Sequence, residues 1–457
     1  MLFERIESEG LAHYSYLIGN ANEAAVIDPR RDGDVYIALA ERAGYHIAHV
    51  LETHRNEDYV VGSVELAART GATIWHADSQ WDYQYGQAVE NGQTWSVGGL
   101  RLRAIHAPGH TPGMMNYLLH DPGGTPWALF SGDTLFAGSV GRVDLLGVER
   151  AEEMAGLLYD TIHGTLLPLG DGIIVCPAHG SGSVCGASIV DRPWTTIGLE
   201  RHHNPALGAP HRRTFIARQA RAQERPPYFG RMERLNVEGP PPISPLPVPT
   251  PLAPEAFARE AEGAVVLDTR MELSFHAGHV PGALSIWRDG LGRFAGWFLP
   301  YDRPILLVTE EDDPMPVVRT LARMGYDDVA GHLAGGMHAW HTAGLDSASL
   351  GSETVPGLCE WLDEGNRPAI LDVRSDAELE QEGAISGAQH IHITQVPEHL
   401  DEVPRRRPLH IFCGSGLRST TVASLLQRAG WRDITVVLGG IRGWNSVSCP
   451  IELVDRD

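Results

Sequence analysis

The side chains in this sequence equipped for chemistry fall into two groups, and the more compact one surrounds a cysteine. In LHIFCGSGLRSTTVASLLQRAGW (409–431) an apolar strand ends on Cys413, and Arg418 and Ser419 open a helix. Gly414, Ser415, Gly416, Leu417, Arg418 and Ser419 form the loop that wraps the sulfur. Such a loop aims successive backbone N–H groups and the positive end of the helix at one atom. A thiolate or persulfide anion is stabilised there, and the sulfur becomes a nucleophile. The other group consists of histidines and carboxylates spread over four segments, residue types that bind borderline and hard cations. ETHRNEDYVV (52–61) carries His54, Asn56, Asp58 and Tyr59. HAPGHTPG (106–113) carries His110, FSGDTLF (130–136) carries Asp133, and CPAHGSG (176–182) carries His179.

Side chains so far apart in sequence need a scaffold that brings strand ends together. EAAVIDP (23–29), HIAHVLETH (46–54), WALFSGD (127–133) and GIIVCPAHG (172–180) read as strands, and polar-patterned segments such as 61–70 read as helices between them. A mixed α/β domain over residues 1–238 is expected. GPPPISPLPVPTPLAP (239–254) has eight prolines in sixteen residues, a composition that favours extended chain over packed helix, and reads as a linker. Beyond it the chain repeats. VVLDTR (265–270) returns as AILDVR (369–374), and GGMHAW (335–340) returns as GGIRGW (439–444), both offset by 104 residues. Two tandem α/β units, 255–347 and 348–457, follow.

Composition narrows the function. The 457 residues carry 58 acidic against 36 basic side chains, a formal charge of −22, so a nucleic acid backbone or an anionic membrane is not an expected partner. Every basic residue is arginine. Without lysine there is no Schiff-base chemistry, no pyridoxal phosphate anchor and no Walker-type phosphate loop. The acidic N-terminus does not read as a signal peptide, and no apolar run reaches the roughly 18 residues of a membrane span. Five cysteines in such a chain do not form a disulfide framework, and a cytoplasmic protein is expected. Cys176 reads as core, Cys359 and Cys449 as packing or surface residues, and the role of Cys185, beside the His179 loop, stays open.

The second repeat resembles a rhodanese domain, a sulfurtransferase unit whose cysteine carries a persulfide. The resemblance rests on Asp372-x-Arg374, the loop from Cys413 to Arg418, and the terminal Gly439-Gly440…Trp444. GAISGA (383–388) departs from GHVPGA (278–283) in the first copy. That copy keeps the rhodanese frame, but the position equivalent to Cys413 is Thr309, followed by four acidic residues that would repel an anion. It is expected to be catalytically silent.

The four metal-type segments occur in the order of a metallo-β-lactamase fold, an αββα sandwich. Binuclear hydrolases of that superfamily carry His-x-His-x-Asp-His and hold two metals about 3.5–4 Å apart. One of those sites would draw on His54, Asn56 and His110, the other on Asp58, Tyr59 and His179, with Asp133 between. An amide and a phenol replace two imidazoles. His54, His110 and Asp133 survive as two histidines and one carboxylate, the facial set of non-haem Fe(II) oxygenases.

At this point the domain resembles a persulfide dioxygenase, a mononuclear-iron branch of the superfamily. The whole chain resembles its fusion to tandem rhodanese domains, including TTIGLERHHNPAL (195–207). The resemblance implies one Fe(II) per chain on His54, His110 and Asp133, and oxidation of a low-molecular-weight thiol persulfide by O2 to sulfite and thiol. It implies that Arg142 grips the thiol carrier and that thiosulfate or sulfite meets Cys413; relatives commonly self-associate, but the oligomeric state is not legible in the sequence. Asn56, where a histidine is usual, together with Asp58, Tyr59 and His179, would surround the iron or the substrate. Two other readings stay open: a zinc-dependent thioester hydrolase of the glyoxalase II type, and a non-catalytic scaffold fused to a sulfurtransferase. The carrier thiol (glutathione, coenzyme A or bacillithiol) and the direction of sulfur flow are not legible.

Overall fold

The computed structural model describes all residues except 187–188, 193, 210, 406–407, 448–452 and 455–457. It divides into two compact units: Met1–Pro247 with Arg319–Asp327, and Val248–Val318 with Asp328–Asp457.

The first unit is built on two six-stranded sheets. One holds, in spatial order, β1 (Leu2–Ser8), β2 (His13–Asn20), β3 (Glu23–Ile27), β4 (His46–Leu51), β5 (Thr73–His76) and β6 (Gln87–Ala88). The other begins with β7 (Thr94–Val97), β8 (Leu100–His106), β9 (Met115–His120) and β10 (Pro126–Gly132). A ribbon of β11 (Leu135–Phe136) and β12 (Ser139–Val140) intervenes before β13 (Ile174–Pro177) and β14 (Thr195–Thr196) complete that sheet in the order β14-β13-β10-β9-β8-β7. Period-two patterning explains the faces: in β8, Leu100, Leu102 and Ala104 are buried while Arg101 and Arg103 are exposed. Tyr16, Ile18 and Leu51 of the first sheet pack with Leu102, Tyr117 and Phe130 of the second in one core. Helices Asp34–Ala43 and Ser63–Thr70 cover the outer face of the first sheet. Ala151–Thr161 and Arg212–Gln219 cover that of the second. The unit is an αββα sandwich, and the loops with His54, His110, Asp133 and His179 leave the C-terminal ends of β4, β8, β10 and β13.

The second unit contains the sequence repeat twice in three dimensions. Its first sheet runs β15 (Thr250–Leu252), β19 (Val329–Leu333), β18 (Ile305–Val308), β16 (Val265–Asp268), β17 (Leu284–Ser285), all parallel. The second has the same order in β20 (Gly351–Thr354), β25 (Ile434–Leu438), β24 (Leu409–Phe412), β21 (Ala369–Asp372) and β23 (Gln389–His390); β22 (Ala384–Ile385) pairs outside it. Each Asp-x-Arg folds back on itself: Arg270 grips Asp268, and Arg374 grips Asp372. The proline-rich stretch is not linker throughout. Its Thr250–Leu252 part is an edge strand on β19, a position where Pro251 is tolerated because an edge strand leaves some N–H groups unpaired. Cys359, read as a packing or surface residue, packs in the core of the second repeat and is also disulfide-bonded, which spacing did not indicate. Cys449 lies outside the described residues. Among the described residues no helix is long and apolar enough to cross a membrane.

The His110 loop is pressed against the helix Ala151–Thr161. A Cβ at Gly109 would lie 2.6 Å from Leu158 Cα, a backbone atom that cannot swing aside. Gly109→Ala should therefore destabilise the unit by about 1–3 kcal/mol, the usual cost of overpacking. Gly230→Ala, in a helix with open space around the site, should be neutral or slightly stabilising. Urea unfolding of the two variants makes the comparison, and equal midpoints would contradict it.

Candidate active sites

At the sheet edge of the first unit the sequence-predicted residues meet. His54 Nε2 lies 3.8 Å and His110 Nε2 3.5 Å from Asp133 Oδ2. All three atoms are buried and none has a hydrogen-bond partner among the described residues. Each side chain is aimed by its other polar atom. His54 Nδ1 is 2.9 Å from Thr53 Oγ1, which donates to Asp28 Oδ2 at 2.8 Å, so the Nδ1–H is the donor. Burial foremost pushes the Asp28 carboxyl up to about 6. His110 Nδ1–H donates to the Arg142 carbonyl at 2.9 Å. Asp133 Oδ1 is 2.7 Å from His179 Nδ1. Both histidines thus turn Nε2 inward, the arrangement typical of metal-binding imidazoles. Buried, unpaired donors at these spacings fit a cation.

The second metal position of a binuclear centre is arranged differently. His179 spans two carboxylates, with Nε2 at 2.9 Å from Asp58 and Nδ1 on Asp133. Burial alone would lower its pKa, but Asp133 and Asp58 outweigh burial and raise it well above the ordinary value. Tyr59 fills the neighbouring space, its ring centroid 3.9 Å from that of His13 and its hydroxyl buried without a partner. Asn56 donates to the His54 carbonyl at 3.3 Å. Cys185 comes within reach of Asp58 and His179, and its Sγ–H donates to Glu57 Oε1 at 3.3 Å. Burial foremost raises the Cys185 pKa, which favours the thiol over the thiolate.

Arg142 is placed otherwise than expected. Its guanidinium is buried and makes two bonds to Asp144, at 2.8 and 2.9 Å, with a further one to the Gln223 carbonyl. It offers no free fork to a substrate; what it gives the site is its backbone carbonyl on His110.

In the second unit, Cys413 is buried and its Sγ accepts the Gly416 N–H at 3.1 Å. The loop is clamped by the Gly-Gly turn: Ile441 N–H donates to the Cys413 carbonyl at 2.9 Å and Gly439 N–H to the Ser415 carbonyl at 2.8 Å. Arg418 is held by Glu378, 2.7 Å at its closer-to-ideal contact. Burial would raise the Glu378 carboxyl, but Arg418 outweighs it and holds it at about 2. The cavity at the loop is also lined by Trp287, Arg293 and Phe294 from the first repeat. The equivalent cavity of the first repeat is lined by Thr309, Glu310, Glu311 and Asp313.

Comparison with known proteins adds the lineage. Residues 9–179 match the family description "Metallo-beta-lactamase superfamily", and residues 254–343 and 357–447 match "Rhodanese-like domain". A metallo-beta-lactamase structure from Staphylococcus aureus is 31% identical with a TM-score of 0.65, over 73% of this chain and 99% of that one. The chain belongs to the metallo-β-lactamase superfamily. Within it, this member carries two rhodanese-like domains after the sandwich. The structure of ETHE1 from Myxococcus xanthus is 27% identical over 52% of this chain and 98% of that one, TM-score 0.45. Hydroxyacylglutathione hydrolase GloC of Haemophilus influenzae is 27% identical over 43% of this chain and 92% of its own length. Other curated hydroxyacylglutathione hydrolases are matched over about half their length.

Against the superfamily's His-x-His-x-Asp-His run, sequence reading located His54, His110, Asp133 and His179 but passed over Thr53, Asp28 and Glu57. Glu57 is buried with its Oε1 3.2 Å from His110 Nε2. No motif slot marks it.

The Gly-Gly turn supports a direct test at Cys413. At Gly440, φ is +48°, and a Cβ would lie 2.0 Å from the Cys413 carbonyl oxygen. Gly440→Ala should displace the loop and reduce the rate of cyanolysis of a Cys413 persulfide by roughly tenfold or more, since misplacing reacting atoms by an ångström costs about a hundredfold. Unchanged sulfur transfer in a folded variant would show that the turn does not position the cysteine.

Proposed function

We propose that the protein oxidises a low-molecular-weight thiol persulfide with O2 to sulfite and thiol at a one-iron site, and transfers sulfane sulfur through Cys413. The observation that carries this reading is the set His54, His110 and Asp133, whose buried Nε2 and Oδ2 atoms face one another, with Tyr59 filling space beside His179 where the superfamily's run has an imidazole. His54, His110 and Asp133 would hold an Fe(II) ion, which would supply the chemistry of O2 activation when bound. The chain's own residues orient the imidazoles through Thr53 and the Arg142 carbonyl, orient Asp133 through His179, and keep the site dry by burial. The overall change balances as RSSH + O2 + H2O giving RSH, sulfite and two protons.

At the other site the Cys413 thiolate attacks the outer sulfur of thiosulfate. An S–S bond forms, the sulfur–sulfur bond of thiosulfate breaks, and sulfite leaves with the electron pair. A thiol then removes the outer sulfur as RSSH and restores the thiolate. The Gly416 N–H is positioned to stabilise the anionic sulfur. The acidic lining at Thr309 repels the same anions, so the first repeat does not turn over.

A second reading, a metal-dependent thioester hydrolase, has two supports. The curated relatives are named hydroxyacylglutathione hydrolase, and Asp58, His179 and Cys185 offer three ligand atoms within 4.8 Å of one another.

Oxygen-electrode traces separate the activities. Wild-type protein given thiosulfate, a thiol and O2 should consume oxygen and release sulfite. Cys413→Ser should abolish this while oxidation of a pre-made persulfide continues. His54→Ala should stop oxygen uptake and leave sulfur transfer intact. Hydrolysis of a hydroxyacylglutathione thioester without oxygen uptake from persulfide would replace this reading by the second.

A further inference from the structure

Glu57 has a place in the site that the superfamily's motif does not assign. It sits between Asn56 and Asp58 in the loop after β4, 1% exposed. Its Oε1 is 3.2 Å from the same His110 Nε2 that faces Asp133, and its Oε2 is buried without a hydrogen-bond partner among the described residues. One ligand atom each from His54, Glu57 and His110 lie within 4.8 Å of one another, and Glu57, Asp133 and Cys185 form a second such group.

We propose that Glu57 is a fourth protein ligand, giving a two-histidine, two-carboxylate centre. This rests on the one-metal reading of His54, His110 and Asp133. Donors about 2.1 Å from one ion stand ~3.0 Å apart at right angles and ~3.4 Å apart at tetrahedral angles. Glu57 to His110 is 3.2 Å and His110 to Asp133 is 3.5 Å, so both pairs have the edge length of a single coordination shell, and His54 to Asp133, at 3.8 Å, is slightly longer.

The alternative, that Glu57 is simply an ion-pair partner of protonated His110, is incompatible with His110 binding metal. A proton and a metal cannot share Nε2. Once the metal displaces that proton, Glu57 loses its cation, and its described hydrogen-bond partner is the weak Cys185 Sγ–H donor. A buried carboxylate is stabilised by positive charge close to it, and an ion on His110 would stand within reach of Glu57. The consequence is chemical. A divalent ion with two carboxylates would be formally neutral, and four protein donors would leave fewer positions for a persulfide sulfur and O2 than three would.

The test is anaerobic Fe(II) titration against a competing chelator, with electron paramagnetic resonance of the nitric oxide adduct, on wild type, Glu57→Gln, Glu57→Ala and Cys185→Ser. Circular dichroism of the metal-free proteins reports whether each variant folds. Glu57→Gln, which keeps shape and loses charge, should weaken iron binding by more than roughly 100-fold, above the roughly 10–100-fold that loss of an outer-shell partner costs. It should also alter the nitrosyl spectrum. Cys185→Ser, which keeps a donor on Glu57, should change affinity a few-fold at most. Folded Glu57→Gln and Glu57→Ala proteins with wild-type affinity and spectrum overturn the assignment. If the wild type holds zinc and not iron, the iron reading fails by itself, and the same titration with zinc decides Glu57.

Discussion

Two imidazole nitrogens and a carboxylate oxygen face one another inside the first unit, shut away from water, with only the Glu57 carboxylate beside the His110 nitrogen among the described residues. Such groups lose their hydration on folding, and each left unpaired costs on the order of 1–3 kcal/mol, more when charged. A fold keeps this arrangement only if something returns that energy, and a bound cation does so. The surrounding structure serves the same end. Thr53 on Asp28, the Arg142 carbonyl and His179 each take the remaining polar atom of one donor and fix where the other points. The sandwich supplies the strand ends, and Gly109 lets the His110 loop approach the helix behind it.

The second unit shows how little of a shared frame determines chemistry. Both repeats have the same strand order and the same self-paired Asp-x-Arg. They part most in the loop after the central strand. Where Gly416 offers an N–H to the Cys413 sulfur, the first repeat has Thr309 among carboxylates. Yet the first repeat is not inert toward its twin, because Trp287, Arg293 and Phe294 line the Cys413 cavity. A repeat without a cysteine at this position still shapes its neighbour's cavity.

Much of this was legible in the sequence, for identifiable reasons. His54, His110, Asp133 and His179 each follow an apolar strand or lie in a Gly/Pro-rich loop, so their convergence could be anticipated. The 104-residue repeat exposed the tandem units and the missing cysteine together. That Arg142 pairs with Asp144, two residues on, was not legible, because a guanidinium in a loop looks available; Arg374 pairs with Asp372 in the same way. The edge strand Thr250–Leu252 was hidden by its prolines. Glu57 was invisible for a different reason: in an acid-rich chain one more glutamate carries no signal, and only the loop geometry turns it onto His110.

The central claim is that this centre is built for one iron and not for two zinc ions. Elemental analysis of wild-type protein purified without oxygen or added metal measures it directly. One iron per chain, with zinc well below one, is the predicted result. Two zinc ions per chain would contradict it.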